Sequence, residues 1–334
     1  MSETTRVVRL ARRPGEILAL EDFEVAEAPL PPLGQGEVLV RNTWMSIDPY
    51  VRLSLSSQPG PHRPVEIGEP LKGAALGVVE RSNAPALSVG ATVMSHKGWR
   101  DRFVAKAEHL QPVDPSIPAS WALGALGTPG ITAYVGIEEV LRPRAGETVF
   151  VSAAAGAVGS VACQLAKRRG ARVLASAGSE RKVRFLVDEL GVDAAVNYRS
   201  GGLEAFLQRE CPHGLDCYFD NVGGAALDVV LRTIKPFGRI GLCGAISRYN
   251  TDDYRRGPAD FFAIVEKSLV VTGFNVTGWM AKSGAEFAGK LRGILAAGEL
   301  ILPETVVEGL DQAPAALVAV FGGDNVGKVL VRLE

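Results

Sequence analysis

A glycine-bearing segment near the middle of the chain has the residue types that bind a dinucleotide. Residues 154–159 are Ala-Ala-Gly-Ala-Val-Gly, which is the pattern Gly-x-Gly-x-x-Gly with Ala154 in place of its first glycine. In this pattern Gly156 lets the main chain approach a pyrophosphate, and Gly159 lets a helix pack closely on the preceding strand. The free N–H groups at the start of that helix favour phosphate. The alternative is a turn that serves packing alone. We predict that the segment holds a cofactor through Ala155, Gly156, Ala157, Val158 and Gly159.

Residues about 20 positions further on distinguish the two forms of such a cofactor. An NAD site places Asp or Glu at the end of the second strand, where it binds the ribose hydroxyls. Here residues 177–179 are Ala-Gly-Ser, so no acid stands at the strand end. Ser179, Arg181 and Lys182 suit a phosphate on that ribose instead. The sequence therefore favours NADP, although both cations could simply belong to the solvated first turn of a helix.

The elements around this segment predict how it is positioned. Residues 148–153 form an apolar, β-branched run typical of a buried strand, and residues 157–169 have a helical pattern. Further strands are predicted at 172–177, 194–197, 215–219, 239–243 and 269–274, and further helices at 180–190, 225–234, 259–267 and 285–297. Alternation of this kind predicts a doubly wound α/β fold with a parallel sheet covered on both faces.

The sequence pattern at the two ends of the chain differs from this alternation of strands and helices. Short β-like runs at 37–42, 73–80, 91–95 and 102–105 are separated by proline and glycine, which indicates a barrel or sandwich. Near the C-terminus, strands at 304–308 and 328–332 flank an alanine-rich helix at 313–321, and we expect this segment to return to the first domain. The predicted domains are residues 1–122, 123–302 and 303–334.

Composition narrows the function classes. The 36 basic and 37 acidic residues leave no basic excess for nucleic acid. Two uncharged stretches, 115–137 and 148–166, contain prolines or glycines that favour buried segments over membrane spans. No CxxC pair occurs among the four cysteines, and the N-terminus has no apolar run, so we expect a cytoplasmic protein.

Several segments together resemble one enzyme family. They are VSAAAGAVGSVACQLAK, AGSERK, LDCYFDNVGG, GRIGLCGAISRYN, SIDPYVR, TPGITAY and NVGK. In this order they are similar to the zinc-free branch of the medium-chain dehydrogenase/reductase superfamily, which includes prostaglandin reductases, leukotriene hydroxydehydrogenases and alkenal double-bond reductases. The resemblance implies a Rossmann doubly wound parallel sheet inserted in a GroES-like β-rich catalytic domain, NADPH as hydride donor, and a homodimer.

The resemblance also implies roles for individual residues. Lys182 and Tyr198 would flank the phosphate on the adenosine ribose, with Ser179 close by. The other cofactor contacts would be Pro129, Thr132, Asn221, Cys243, Tyr249, Phe274 and Asn325. Two places depart from the family pattern: polar Asn275 and Thr277 follow Phe274, and Val51 replaces a methionine. Because both places lie near the expected substrate pocket, no substrate is transferred from a relative.

The metal ligands of zinc-dependent members of the superfamily are missing from this sequence. Met45 stands where those members have a cysteine, three residues before Asp48, and GEPLKGAALG contains no His-Glu pair. The four histidines, His62, His96, His109 and His213, are scattered. We therefore predict that no metal is bound.

Conjugate reduction of an enal or enone suits such a site, because the developing enolate needs only a hydrogen-bond donor. Tyr249 is the first candidate for this donor or for the acid, since a phenol is protonated at pH 7. Tyr50 is the second, as a hydroxyl that orients the substrate, and the cofactor ribose could replace both. Asp48 and Arg52 beside Tyr50 are expected to pair and fix its loop. The alternatives are an NADPH quinone reductase and a non-catalytic NADPH-binding protein.

Overall fold

The computed structural model describes residues 3–57, 63–251 and 256–333. The chain divides into two compact units. Unit 1 contains Met1–Leu123 and Glu304–Glu334, and unit 2 contains Gly124–Pro303. Each unit has its own sheet and its own core. None of the helices in the described ranges is both long and apolar enough to span a membrane.

Unit 2 is built on a parallel sheet of six strands. In chain order the strands are β8 (Thr148–Val151), β9 (Arg172–Ala177), β10 (Ala194–Asn197), β11 (Leu215–Asp220), β12 (Ile234–Leu242) and β13 (Val270–Gly273). Their order in space is β10-β9-β8-β11-β12-β13, and every pair is parallel. The predicted doubly wound sheet is confirmed. The strand order reverses at β8, which is where such folds bind their ligands.

Alternate side chains of the central strand enter two different cores. Val149 and Val151 lie in a cluster with residues of the helix that follows β8, whereas Phe150 packs against Tyr218 on the opposite face. All three side chains are fully buried. This is why the strand reads as a continuous apolar run rather than an alternating one.

Helices cover both faces of this sheet. They are α3 (Thr128–Tyr134), α4 (Ala157–Arg168), α5 (Glu180–Arg184), α6 (Leu203–Glu210), α7 (Gly224–Thr233), α8 (Phe262–Glu266) and α9 (Val276–Ala296). The helices α3, α4 and α9 contribute to one core, and α6, α7 and α8 contribute to the other.

Three features of these helices differ from the sequence prediction. Helix α5 continues as a π-helix over Phe185–Glu189, and α3 and α6 were not predicted. Helix α9 begins at Val276 instead of 285 and is kinked at Ser283. Its first turns contain Thr277, Gly278 and Gly284, whose low helix propensity hid the helix from sequence analysis.

Unit 1 is rich in strands. Its strands are β1 (Thr4–Leu10), β2 (Phe23–Pro29), β3 (Glu37–Ile47), β4 (Ala75–Ser82), β5 (Thr92–Ser95), β6 (Arg102–Lys106), β7 (Gln111–Pro112), β14 (Glu304–Glu308) and β15 (Lys328–Arg332). Its helices are α1 (Val51–Ser54), α2 (Ala119–Leu123) and α10 (Ala313–Gly322). Strands β1 and β2 form an antiparallel pair that was not predicted.

The long strand β3 organises the main sheet of unit 1. It pairs with β4, β6 and β15, all antiparallel, and β14 lies parallel beside β15. Strands β14 and β15 therefore belong to the same sheet as β3, β4, β5, β6 and β7. The register of β15 sets Val329 opposite Ile47, at the end of β3 that leads to Tyr50.

Candidate active site

The glycine-bearing turn lies between β8 and α4, as the sequence predicts. Gly156 is the residue that caps the N-terminus of α4. A Cβ at Gly159 would lie 2.5 Å from the main-chain oxygen of Ala153, so a side chain cannot fit there. A Cβ at Gly156 would meet that oxygen alone, at 3.3 Å. Gly159 thus allows close packing, while Gly156 leaves room for a ligand beside the free N–H groups of the first turn.

Candidate cofactor residues follow the carboxyl ends of all the other strands in the unit 2 sheet. They are Ser179 after β9, Tyr198 after β10, Asn221 after β11, Cys243 after β12 and Phe274 after β13. Because the strands are parallel, these ends share one edge of the sheet with the glycine turn. That edge, at the point where the strand order reverses, is where a dinucleotide binds in this kind of fold.

A polar and cationic cluster surrounds the end of β9. A Cβ at Gly178 would lie 3.2 Å from the hydroxyl oxygen of Tyr198 and 3.3 Å from Nε of Arg199. The Ser179 hydroxyl accepts a hydrogen bond from the main-chain N–H of Lys182 at 3.4 Å, and the Lys182 side chain is largely buried. Hydroxyls and cations in this arrangement fit a ribose phosphate. Sequence analysis missed Arg199, although it directly follows Tyr198.

Asn221 is fixed by two hydrogen bonds to Ser152, which follows β8. Its main-chain N–H donates to the Ser152 hydroxyl at 3.0 Å, and its side-chain amide donates to the Ser152 carbonyl at 2.8 Å. These bonds join the turns after β8 and β11, the two strands that border the reversal of strand order.

Asp220 organises the same turn and was not singled out by sequence analysis. Its side chain is fully buried, and one carboxylate oxygen accepts hydrogen bonds from the Tyr218 hydroxyl at 2.7 Å and from the N–H groups of Val222 and Gly223 at 2.9 and 2.8 Å. Burial raises the pKa of Asp220 despite these donors. The Asp in FDNVGG is the sequence signal, since a short acidic side chain after a buried strand favours a turn.

Tyr249 lies in the loop after β12, next to the turn after β11. Its hydroxyl oxygen accepts a hydrogen bond from the main-chain N–H of Ala245 at 3.3 Å. A Cβ at Gly244 would lie 2.9 Å from this oxygen, so the glycine provides the space for the hydroxyl. Burial raises the pKa of Tyr249, which keeps the phenol protonated at neutral pH. The oxygen receives one hydrogen bond, and its own proton can be donated.

Two other predicted cofactor contacts have side chains that pack inside unit 2. Phe274 is buried, and its ring packs edge-on against that of Phe219 with the ring centroids 5.9 Å apart. Cys243 is partly buried against the unit 2 core, and desolvation raises the pKa of its thiol to about 12, so the thiol is protonated at neutral pH.

Helix α3 carries the other two predicted contacts, Pro129 and Thr132. Both residues are buried, and the Thr132 hydroxyl donates to the carbonyl of Thr128 at 2.7 Å. This bond lies within the helix, so it accounts for the burial of the hydroxyl without a ligand.

The predicted residues of unit 1 lie around the end of β3 and the start of β15. Burial and the Asp48 charge raise the pKa of Tyr50, and the Asn325 amide donates to the Gly327 carbonyl at 3.1 Å. The expected Asp48–Arg52 pair is wrong: Asp48 pairs with Lys328 at 2.9 Å, and Arg52 donates to the Gly15 carbonyl at 2.8 Å. Lys328 is 280 positions from Asp48 in the sequence, so spacing along the chain could not indicate that its ammonium pairs with this carboxylate.

Met45, which stands in place of a zinc ligand, is part of the unit 1 core. It is fully buried, and its sulfur accepts a hydrogen bond from the main-chain N–H of Trp99 at 2.7 Å. Across residues 3–57, 63–251 and 256–333, no three His, Cys, Asp or Glu side chains are grouped to hold a metal ion. His62 lies outside these residues.

Comparisons with known proteins agree with this architecture. Residues 6–113 match a family described as the N-terminal domain of oxidoreductase, and residues 157–289 match one described as zinc-binding dehydrogenase. Prostaglandin reductase 1 of Oryctolagus cuniculus is 40% identical over 92% of this chain and 87% of its own length. The NADPH-dependent curcumin reductase of Escherichia coli is 33% identical over 97% of this chain and 95% of its own length.

A similar solved structure contains a bound cofactor. The crystal structure of CurA from Vibrio vulnificus in complex with NADPH has a TM-score of 0.93 and 35% identity, covering 98% of this chain and 99% of that one. The glycine turn, the switch in strand order and the cluster around Gly178 fit the same cofactor. The chain belongs to the zinc-free branch of the medium-chain dehydrogenase/reductase superfamily that contains the prostaglandin and curcumin reductases, and it is an NADP-dependent oxidoreductase.

Proposed function

We propose that this protein reduces the carbon–carbon double bond of α,β-unsaturated aldehydes or ketones. The observation that carries the proposal is the protonated hydroxyl of Tyr249, which is held beside the carboxyl ends of β11 and β12 by the Ala245 N–H. A neutral donor at this edge suits a reaction that develops charge on a carbonyl oxygen. The names of the relatives, which act as prostaglandin and curcumin reductases, agree with it.

The chemistry needs a hydride, a proton and a donor to oxygen. When bound, NADPH supplies the hydride, which adds to the β-carbon of the substrate and leaves NADP⁺. The electrons of the double bond move onto the carbonyl as an enolate, whose oxygen the Tyr249 hydroxyl stabilises. Protonation of the α-carbon by Tyr249, whose phenolate then regains a proton from water, or by water itself, completes the saturated product. Tyr50 orients the carbonyl group.

The cofactor contacts follow from the same arrangement. We propose that residues of the glycine turn, 155–159, bind the pyrophosphate, and that Ser179, Lys182, Tyr198 and Arg199 bind the ribose phosphate. Asn221 and the loop that contains Cys243 and Tyr249 border the nicotinamide half, Pro129 and Thr132 lie beneath the cofactor, and Phe274 contributes main-chain contacts. Asn325 contributes from unit 1, which we propose is the GroES-like catalytic domain.

We also propose that the protein is a homodimer in the cytoplasm. Strand β13 ends the described sheet of unit 2, and apolar side chains on and near it are exposed: Phe237, Phe261, Phe262, Val265 and Val270. An exposed edge strand with apolar neighbours favours pairing with a second copy. The four free cysteines support a reducing compartment. Light scattering of the purified protein tests the dimer, and a Val270→Lys variant should be monomeric.

A substrate panel tests the proposed activity. Enals, enones, quinones and saturated aldehydes are each mixed with enzyme and NADPH, and the loss of NADPH absorbance is followed. We expect turnover with enals and enones and none with saturated aldehydes. Turnover with quinones alone would indicate a quinone reductase, and binding of NADPH without any turnover would indicate a non-catalytic protein.

A further inference from the structure

A buried ion pair in unit 1 joins two segments that the proposed function uses. The ammonium of Lys328 donates to a carboxylate oxygen of Asp48 at 2.9 Å and to the main-chain oxygen of Ile47 at 2.9 Å. The Lys328 and Asp48 side chains are only 6% and 14% exposed. The second carboxylate oxygen of Asp48 accepts a hydrogen bond from the Ser46 hydroxyl. The pair therefore has a fixed geometry.

One side of this pair supports Tyr50. Asp48 follows the last residue of β3, and its carbonyl accepts a hydrogen bond from the N–H of Val51 at 3.1 Å. The Tyr50 carbonyl accepts one from Leu53 at 3.0 Å, which continues the short helix α1. Holding the Asp48 side chain thus fixes the turn from which Tyr50 projects.

The other side supports Asn325. Lys328 begins β15, two residues after Val326, and the Asn325 amide donates to the carbonyl of Gly327, the residue before Lys328. In the antiparallel register Val329 lies opposite Ile47, so Lys328 reaches the first residue beyond β3. A single side chain links the turn that carries Tyr50 to the segment that carries Asn325.

Stability alone is a poor explanation for this pair. Removing two charges from water costs free energy that their attraction barely returns, so a buried ion pair is weak evidence for stability and is better suited to fixing geometry. We infer that Lys328 is a positioning residue, which holds Tyr50 and Asn325 in the relative position that hydride transfer requires. The inference rests on the proposed roles of those two residues.

Three variants separate positioning from stability. Lys328→Met leaves the Asp48 carboxylate buried without its partner, and Asp48→Asn/Lys328→Met removes both charges. Arg332→Met is the control, since Arg332 lies on β15 like Lys328 and its exposed ion pair is with Glu308 of β14. For each variant we measure the thermal midpoint, kcat and KM with an active enone, and Kd for NADPH.

We expect Lys328→Met to lower the thermal midpoint and the double variant to recover it. In both variants kcat should fall about tenfold or more, because small displacements in an active site have effects of that size. Kd for NADPH should rise about threefold in both, whereas the control changes all quantities by less than about twofold. If Lys328→Met does not fold, the comparison of the double variant with the native protein tests the inference.

Recovery of kcat together with the thermal midpoint in the double variant would show that the pair is merely structural and would overturn the inference. Failure of the proposed function is a different result: the native protein would then reduce no enal or enone. In that case Kd for NADPH still tests the role of Lys328, since an unchanged Kd in the double variant would contradict a link to Asn325.

Discussion

The hydroxyl oxygen of Tyr249 lies 3.3 Å from the main-chain nitrogen of Ala245 and accepts its hydrogen bond. An oxygen that accepts from the main chain directs its own proton elsewhere. Because burial also raises the pKa of this phenol, the proton is present throughout the neutral range. This relationship makes the loop after β12 a source of one neutral hydrogen-bond donor.

Replacing this donor should slow the reaction without weakening cofactor binding. Tyr249→Phe is expected to lower kcat by about 10²-fold, in the range for a lost acid catalyst, with little change in Kd for NADPH. Tyr134→Phe is the matched control, since that ring packs against Phe287 in the core. Steady-state kinetics and NADPH fluorescence measure the two quantities. An unchanged kcat would show that Tyr249 is not the proton donor, and the ribose hydroxyl or water would then have that role.

The cluster around Gly178 should discriminate NADPH from NADH. Lys182→Ala and Arg199→Gln each remove a cation that the phosphate can use, so KM for NADPH should rise about tenfold or more while KM for NADH changes little. Lys167→Ala, which breaks an exposed pair with Asp193, serves as the control. Equal increases for both cofactors would show that the phosphate does not bind at this cluster.

Substitution of the two glycines of the turn should have different effects, one on stability and the other on cofactor binding. Gly159→Ala brings a Cβ to 2.5 Å from the Ala153 carbonyl, and we expect it to lower the free energy of unfolding by about 1–3 kcal/mol. Gly156→Ala meets the same oxygen at 3.3 Å and should fold, yet bind NADPH more weakly because its methyl occupies ligand space. Urea denaturation and NADPH titration of both variants test this. Equal stability of the two would contradict the assigned geometry.

Asp220 should give stability a measurable pH dependence. Its pKa is raised in the folded state, chiefly by burial, so the folded protein holds this proton at pH values where the unfolded chain has lost it. The contribution of Asp220 is therefore most favourable below the unfolded pKa of about 3.9 and declines as pH rises toward the folded value. In Asp220→Asn this decline should be absent. The measurement is the difference in thermal midpoint between the native protein and the variant as a function of pH. An increase of this difference in favour of the native protein with rising pH would contradict the prediction.

Much of unit 2 could be predicted from the sequence because its central strands are buried on both faces. Strands Arg172–Ala177 and Ala194–Asn197 have the bounds that their apolar runs indicate. The glycine turn was found because a glycine pattern between a strand and a helix is a local signal. Helix α3 was missed because Pro129 and Gly130 interrupt its pattern, although proline is suited to the first turn of a helix.

Contacts between distant residues could not be predicted in the same way. Lys328 and Asp48 are 280 positions apart, and their pairing follows from the register of β15 on β3. Arg52, only four residues from Asp48, is the partner that spacing suggests, and it is wrong. For Asp220, Tyr218 lies on the same face of β11 two residues earlier, whereas the bond from the Ser152 hydroxyl, 68 positions away, depends on the fold.

The fate of the hydride tests the central claim most directly. NADPH that carries deuterium at its transferable position is incubated with the enzyme and an enone in ordinary water, and the product is examined by NMR. We predict a saturated ketone with deuterium on the carbon that was β to the carbonyl and a solvent hydrogen on the neighbouring carbon. Deuterium on the carbonyl carbon of an unsaturated alcohol would contradict the account.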